Sequence, residues 1–183
     1  MKRIKRTLSL LKHYWELRFT PPQQYALKQG VTIGVNNFIA DNECWSTEPF
    51  LIKVGNHCQI TAGVKFLTHG GGQAVRRFVP DMDTFGKITI GDYVYLGTNS
   101  LIMPGVTIED NVLVAAGSVV TKSIPSGMVV GGNPARIICT IEEFIERNKN
   151  TNSHTKGISR EEKLRILKTM GEEKFVRKKF MIK

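Results

Sequence analysis

A six-residue repeat is the feature that most limits how this chain can fold. From Ile90 the sequence divides every six residues into IGDYVY, LGTNSL, IMPGVT, IEDNVL, VAAGSV and VTKSIP. Large aliphatic residues hold the first position of each unit, at Ile90, Leu96, Ile102, Ile108, Val114 and Val120. Smaller or β-branched residues hold the fifth, at Val94, Ser100, Val106, Val112, Ser118 and Ile124. Six units in unbroken register predict a repeat architecture.

The same division continues upstream with interruptions. Units begin at Val54, Ile60 and Phe66, and weaker ones begin at Ile33 and Ile39. The spacing from Ile33 to Val54 exceeds a whole number of units by three positions. Residues 70–89 carry no repeat, and we expect them to form a loop excursion from the repeats.

The period of six excludes the two commonest patterns. An α-helix repeats its apolar face at three and four residues, and a hairpin sheet alternates at two, with turns every 8–12 residues. Short strands separated by corners remain, so the sequence predicts an all-β solenoid over residues 21–139, a β-helix. Turn-forming residues recur where corners are expected, at Gly91, Asp92, Gly97, Asn99, Gly105, Asp110, Asn111 and Gly117.

Both ends of the chain are predicted to be helical. Residues 1–20 form an amphipathic helix with Ile4, Leu8, Leu11 and Trp15 at helical spacing. Two uses compete for its apolar face: packing on the body of the protein, or lying on an anionic membrane surface. Residues 140–183 form helices that begin after the capping residues Thr140 and Ser159, and we expect them to cap the open end of the solenoid.

Charge and composition exclude several classes. Residues 1–20 carry six Lys/Arg and one acid, residues 21–139 carry eight of each, and residues 140–183 carry twelve Lys/Arg and seven acids. The body is therefore neutral, which argues against a nucleic-acid partner. No apolar run is long enough to span a bilayer. Three cysteines without paired spacing fit a reducing cytoplasm, with peripheral contact at the inner face of the membrane left open by the N-terminal helix.

The repeats, the loop after His69 and the closing run VVTKSIPSGMVVGGNPARII resemble the hexapeptide-repeat acyltransferases of the xenobiotic and sugar O-acetyltransferase type. The similarity covers about 60% of the chain. It implies a left-handed parallel β-helix with three strands per 18-residue turn. It also implies a homotrimer with active sites between neighbouring subunits, and acetyl-CoA as cosubstrate.

His69 is the predicted catalytic residue. Acyl transfer to a hydroxyl needs a base, and an imidazole titrates near neutral pH. The resemblance implies the same role, because family members carry their general base immediately before the loop. His57 is expected to be an exposed or capping corner residue. Two solenoid histidines do not supply the three that a zinc site of the carbonic anhydrase kind needs, so no metal is expected.

The acyl donor is expected at the small residues that an 18-residue turn stacks on each other. Gly97 lies over Ala115 and Thr98 over Ala116, and the resemblance assigns the coenzyme A cleft to these positions. At its far end, Thr121, Lys122 and Arg136 are candidates for the phosphates. Tight corners and solvated surface charges are the alternative readings of these residues.

Acceptor-binding candidates are the loop residues Arg76, Arg77, Phe78, Asp81 and Asp83, together with Asp41 and Asn42 from a neighbouring subunit. Glu48 either orients a histidine or stabilises a corner.

The sequence thus predicts an acetyl-CoA-dependent O-acetyltransferase that acts on a sugar hydroxyl, for a surface polysaccharide, by direct transfer with His69 as base. Alternatives are N-acetylation of an amino sugar, acetylation of an antibiotic or serine, and a non-catalytic trimeric β-helix that binds membrane through its basic ends.

Overall fold

Two helices precede the repeats in this computed structural model, which describes residues 2–181. Helix α1 is Lys2–Phe19 and helix α2 is Pro22–Gln29. The Pro21–Pro22 pair separates them, because proline interrupts a continuing helix but suits the first turn of a new one. The side chain of Ile4 lies outside the described part of α1.

Short strands, most of them two residues long, carry the repeats. The strands before the excursion are β1 (Thr32–Ile33), β2 (Phe38–Ile39), β3 (Ile52–Val54), β4 (Gln59–Ile60) and β5 (Lys65–Phe66). The excursion contains β6 (His69–Gly70), α3 (Gln73–Arg76) and β7 (Thr84–Phe85). After it come β8 (Ile88–Ile90), β9 (Tyr95–Leu96), β10 (Leu101–Ile102), β11 (Thr107–Ile108), β12 (Leu113–Val114) and β13 (Val119–Val120).

The repeat strands form three sheets in which they pair in parallel. The first sheet contains β1, β3, β8 and β11, the second contains β2, β4, β9 and β12, and the third contains β5, β10 and β13. Thr89 pairs with Thr107, Tyr95 with Leu113 and Leu101 with Val119, and each pair is separated by three repeat units. The chain therefore visits the three sheets in turn, which confirms the predicted period. We call residues 32–124 the repeat coil.

Three corners connect the sheets. The first corner follows each strand of the first sheet, the second corner follows each strand of the second sheet, and the third corner follows each strand of the third. Non-glycine residues with positive φ lie at the first corner (Tyr93, 56°, and Asn111, 57°) and at the second (Asn99, 59°). Asparagine is among the residues that best tolerate this conformation, which explains its recurrence in the repeats.

The predicted inward columns form the core. Every first-position and fifth-position residue of the six regular repeats is at most 6% exposed. Val54, Cys58, Ile60, Val64 and Phe66 extend the same core upstream. Burying an aliphatic side chain of this size contributes about 1.5–3 kcal/mol, so the columns stabilise the coil along its whole length.

The coil departs from the regular period before and at the excursion. Thr32 pairs with Lys53, three positions beyond the spacing of three repeat units, which confirms the extra residues in the first turn. Lys65 pairs with Leu101 across the excursion, so the residues of β6, α3 and β7 leave the coil without adding a turn to it. The predicted excursion at 70–89 is two residues too long, because Ile88 and Thr89 already belong to β8.

The last turn corrects the sequence prediction. The repeat division places Ile124 opposite Val106, but Ile124 pairs with Ile108, two positions short of the regular spacing. The third corner is thus two residues shorter in this turn. The chain leaves the coil at Pro125, which has no N–H to continue the strand pairing. An antiparallel hairpin of β14 (Met128–Gly132) and β15 (Ala135–Thr140) then extends the second sheet beyond β12.

A ladder of side chains joins successive turns at the first corner. Asp92 Oδ1 accepts the Asn56 N–H at 2.7 Å, and Asp110 Oδ1 accepts the Asp92 N–H at 2.7 Å. The Asn56 N–H lowers the pKa of Asp92, because it stabilises the carboxylate. Each such acceptor lies against a glycine of the adjacent turn, Gly55 or Gly91, where a side chain would collide with it.

Helix α2 covers the beginning of the coil. Ala26 belongs to the core, Tyr25 is buried, and the Gln23 side-chain amide donates to the Gly34 carbonyl at 2.8 Å. The segment after the hairpin is a second compact unit that begins at Glu142. It contains α5 (Arg160–Thr169) and nearly all of α4, which begins at Ile141 and ends at Asn148.

The start of α5 follows the predicted capping pattern, since Ser159 Oγ accepts the Glu162 N–H at 3.1 Å. Helix α4 begins directly after Thr140, as expected. Capping of the coil by this unit stays a prediction. Within residues 2–181, no helix combines the length and apolarity needed to cross a membrane.

We expect Gly91→Ala to lower the free energy of unfolding by about 1–3 kcal/mol. Its Cβ would lie 2.9 Å from Asp110 N and from Glu109 C, and these backbone atoms belong to the adjacent turn. Urea denaturation followed by circular dichroism measures the change. Gly72→Ala is the matched control, because a Cβ there meets nothing within 4 Å, and its effect should stay within about 0.5 kcal/mol. Equal stability of the two variants would contradict the account of the ladder.

Candidate active site

His69 lies where the third corner opens into the excursion. Val64, Phe66 and Thr68 alternate into the core, so the next residue, His69, points outward. The hairpin of β6 and β7 fixes its backbone, since His69 pairs with Phe85 in antiparallel register. The imidazole is therefore exposed on a rigid support, as a catalytic side chain requires.

Glu48 is the immediate partner of this imidazole. Its Oε2 lies 2.9 Å from His69 Nδ1. Glu48 falls within the stretch where the first turn has three extra residues, just before the 3₁₀ turn Pro49–Leu51. The three extra residues of the first turn thus place the Glu48 carboxylate next to the imidazole. Of the two roles that the sequence left open for Glu48, the geometry favours the orientation of a histidine.

Two threonines hold the carboxylate. The buried Thr68 hydroxyl donates to Glu48 Oε2 at 2.7 Å, and the Thr47 hydroxyl donates to Oε1 at 2.7 Å. These hydrogen bonds, that of Thr68 first, lower the pKa of Glu48 to about 2, against a smaller opposing effect of desolvation. Glu48 is consequently an ionised acceptor at every pH at which the protein would be assayed.

The ionised carboxylate decides the tautomer of His69. A carboxylate can only accept a hydrogen bond, so Nδ1 carries the proton and donates it to Glu48. Thr47 Oγ1 lies 3.4 Å from the same nitrogen. In the part of the chain that the structure describes, the hydrogen-bonding contacts of the ring all use Nδ1, and Nε2 is left with its lone pair for a ligand. The Phe85 ring is tilted against the imidazole, with the two ring centroids 6.3 Å apart.

The predicted small residues stack at the second corner as the period requires. Gly97 N–H donates to the Val114 carbonyl at 2.8 Å, and Gly117 N–H donates to the Thr98 carbonyl at 2.8 Å. Gly97 is buried, and a Cβ there would lie 2.7 Å from the Ala115 carbonyl carbon. Thr98 and Ala116 are exposed beside it. Gly97 therefore serves the close approach of two turns, while its neighbours form a strip free of bulky side chains.

Thr121, Lys122 and Arg136 line one groove of about 390 Å³ between the third corner and the β14–β15 hairpin. The floor is apolar and includes Val120, Ile124 and Val130. Arg136 Nη1 donates to the Ala135 carbonyl at 2.9 Å. The structure thus brings the three predicted phosphate-binding residues together.

The loop candidates divide between bracing and exposure. Arg76 pairs with Asp83, with Nη2 and Oδ1 3.5 Å apart, and its Nε donates to the Met82 carbonyl at 3.1 Å. Arg76 and Asp83 therefore brace the loop itself. Arg77 lies over the ring of Phe78, which is 80% exposed, and Asp81 is exposed as well. These last three are exposed and have no part in that ion pair, and Asp83 is exposed as well although it pairs with Arg76.

Asp41 and Asn42 are engaged within the chain. Asp41 Oδ2 accepts the Gly63 N–H at 2.6 Å, which connects two turns at the second corner. Asn42 Nδ2 donates to the carbonyls of Leu17 and Thr20 at 2.7 and 2.9 Å, at the end of α1. Both also line a groove of about 680 Å³ with Arg18 and Lys65. Their hydrogen bonds support the local structure, and an acceptor role for them stays a prediction.

Sequence reasoning did not assign Thr47, Thr68 and Phe85 to the site. Thr68 is the third residue of its repeat unit, a position that is polar or small in most other units, so the sequence does not show that its hydroxyl is buried. Phe85 joins His69 only through the hairpin register, for which the sequence gives no indication.

Clusters of metal-ligating side chains and the buried thiols are the other features to consider for chemistry among residues 2–181. No group of three or more His, Cys, Asp or Glu side chains in residues 2–181 is placed to hold a metal ion. Burial raises the pKa of Cys44 to about 12 and also raises the pKa of Cys58. The thiolate is the nucleophilic form of cysteine, so these two buried residues are poor candidates for a covalent relay.

Comparison with known proteins agrees with the repeat. Residues 87–122 match the family described as bacterial transferase hexapeptide, with six repeats. Protein CapG of Staphylococcus aureus is 43% identical over 152 residues, which cover 81% of this chain and 88% of that protein. The galactoside O-acetyltransferase of Escherichia coli is 34% identical over 131 residues, covering 71% of this chain and 62% of that enzyme.

A solved structure shows the same fold. The hexapeptide-repeat acetyltransferase of Vibrio cholerae superposes with a TM-score of 0.58 at 24% identity, over 76% of this chain and 92% of the other. The shared family, together with a histidine and carboxylate pair on the coil, favours an enzyme over the non-catalytic alternative. This chain belongs to the hexapeptide-repeat family of bacterial transferases, and it is an acyltransferase.

Proposed function

We propose that this protein transfers the acetyl group of acetyl-CoA to a hydroxyl of a sugar destined for a surface polysaccharide. The observation that carries the proposal is the His69–Glu48 pair, which fixes the tautomer of the imidazole and leaves Nε2 able to accept a proton. The name of the Escherichia coli relative supports O-acetylation of a sugar. The reaction would take place in the cytoplasm, where acetyl-CoA is made and where free thiols such as the three buried cysteines persist.

His69 acts as the general base. Nε2 takes the proton of the acceptor hydroxyl while its oxygen bonds to the acetyl carbonyl carbon. The carbon–sulfur bond then breaks, and the proton passes from Nε2 to the departing sulfur, so that coenzyme A leaves as its thiol. Glu48 stabilises the protonated ring between the two transfers. A backbone N–H of the cleft would stabilise the oxyanion.

Acetyl-CoA supplies the thioester, and two features of this chain fit it. The strip of Thr98, Ala115 and Ala116 gives a narrow pantetheine arm room beside exposed backbone. The groove with Lys122 and Arg136 places two cations where phosphates could bind, and a guanidinium can donate to two phosphate oxygens at once.

The acceptor would lie on the Nε2 side of His69, next to Phe85. An aromatic ring there suits the apolar face of a sugar, and the exposed side chains of Arg77 and Asp81 can reach hydroxyl groups from the excursion. The Nδ1 side is filled by Glu48 and Thr47 and is closed to an acceptor.

The separation of the two half-sites supports a trimer. His69 lies at the third corner of the coil, and the strip beside Gly97 lies at the second. Corners of one coil point apart, so a third corner meets a second corner most simply when two chains pack side by side. We therefore propose a homotrimer of left-handed β-helices in which each active site takes His69 from one subunit and the strip from the next.

His69→Ala should reduce acetyl-CoA turnover by about 10²–10⁴-fold, the usual contribution of a general base. Thiol release in the presence of a sugar acceptor measures the rate. His57→Asn is the control, because asparagine occupies the equivalent position at Asn36 and Asn111 with the same positive φ. A His69→Ala enzyme that keeps most of the wild-type rate would remove the mechanism.

Glu48→Gln should lower kcat by about 10- to 100-fold with little change in KM, because the imidazole loses its orientation and the charge that stabilises it when protonated. Glu43→Gln, at an exposed acid of the same region, should leave both kcat and KM unchanged. An unchanged kcat in Glu48→Gln, or a rise in KM without loss of kcat, would contradict the positioning role.

Mixed trimers test the shared site. We expect His69→Ala and Ala116→Trp, which blocks the strip, each to be inactive alone. Each trimer that contains both variants should regain one of its three sites, roughly a third, because one junction pairs an intact histidine with an intact strip. Thiol release from co-expressed, doubly tagged protein measures the recovery. No recovery would place both half-sites in the same subunit.

A panel of acceptors in the same assay distinguishes the enzyme alternatives. A neutral hexose or galactoside, an amino sugar, serine and chloramphenicol each offer a different nucleophile. Preference for a sugar hydroxyl supports the proposal, and preference for an amine or for serine would replace its acceptor while keeping the acyl-transfer chemistry.

A further inference from the structure

Helix α1 leaves an apolar face uncovered. Leu8, Leu11, Trp15 and Phe19 follow each other at spacings of three and four residues, and they are 59–65% exposed. The Trp15 and Phe19 rings contact each other, with centroids 4.4 Å apart. These four residues, which we call the α1 stripe, therefore form a continuous apolar surface on one side of the helix.

The contact between α1 and the body lies on another side of the helix, near its end. Asn42 binds the carbonyls of Leu17 and Thr20, and the neighbouring residues Glu16 and Leu17 are half-buried. Of the two uses that the sequence left open for the apolar face, packing on the body of the same chain does not account for the α1 stripe.

Positive charge surrounds the stripe. Lys12 and Arg18, both exposed, flank it on its two sides, and the Arg18 guanidinium lies 5.9 Å from the centre of the Phe19 ring. Residues 1–20 hold six Lys/Arg against one acid, while residues 21–139 are neutral. Two copies of such a helix would repel each other, whereas a surface of anionic lipid headgroups would attract each of them.

We propose that α1 binds the surface of an anionic bilayer, lying in the plane of the interface. The α1 stripe would insert among the upper acyl chains, and Lys12 and Arg18 would meet lipid phosphates. Trp15 suits this position, because its ring is apolar and its N–H can reach the headgroups. This inference does not depend on the identity of the acceptor or on the catalytic step.

Co-sedimentation of the full chain with vesicles tests the proposal. The probes are vesicles of phosphatidylcholine alone and of phosphatidylcholine with phosphatidylglycerol. We expect binding to the mixed vesicles only, and a loss of at least about tenfold when the salt concentration is raised from about 0.05 to about 0.5 M. Equal binding to both vesicles, or none to either, would overturn the proposal.

Two adjacent leucines give a matched pair of variants. Leu11 belongs to the α1 stripe and is 59% exposed, whereas Leu10 lies outside it and is 61% exposed. Leu11→Gln should weaken vesicle binding about tenfold or more, and Leu10→Gln should have a much smaller effect. Equal losses would overturn the proposed face.

A mass measurement by light scattering without lipid tests the alternative that a second copy of the chain covers the α1 stripe. If Leu11→Gln reduces the oligomeric mass, a second copy of the chain covers the stripe and the proposal is wrong. Thiol release by Leu11→Gln in lipid-free assay should equal that of the wild type, so failure of membrane binding and failure of the proposed acetyl transfer give different results.

Discussion

The stacking of one 18-residue turn on the next is the constraint from which the rest of the structure follows. Two turns can lie at sheet spacing only if their corners also lie close together. Where both turns carry a side chain at the same contact, the two side chains would collide. At the first corner, a glycine without a side chain in one turn leaves room for a side chain of the next turn, that of Asn56, Asp92 or Asp110. The oxygen of that side chain also accepts a backbone N–H of the first turn. Strand pairing, packing of the core columns and the corner hydrogen bonds therefore all depend on the same stacking of turns.

The site arises where this regularity is interrupted twice at the same height. Three extra residues in the first turn bring Glu48 outward, and an excursion that leaves the coil without adding a turn exposes His69 at the third corner. Between them the buried Thr68 hydroxyl donates to the carboxylate from inside the coil. The histidine is thus oriented by a residue of the wall itself, and its geometry depends on the stability of the coil rather than on a mobile loop.

Much of the fold was predictable from the sequence because each repeat places its inward-facing side chains at the same two positions. The inward columns, the period of the pairing and the extra residues before Val54 all follow from counting aliphatic positions. Counting failed at Ile124, where a shortened corner shifts the register by two and a regular pattern gives no warning. It also could not reveal that Glu48 meets His69, because that contact joins two turns through a local irregularity. The residue type was enough to identify His69 as a candidate. Its neighbours Glu48 and Phe85 became known only from the pairing of the chain in the structure.

Helix α2 has a consequence for the growth of the assembly. A stack of parallel strands ends in a row of unpaired peptide groups, and an identical stack can add there as readily as the next turn did. Pro22–Gln29 occupies the starting end, with Ala26 in the core and Gln23 on the Gly34 carbonyl. A second coil could therefore pair its strands with this end only by displacing α2 from β1 and β2. A protein built from a motif that could continue indefinitely is in this way kept finite.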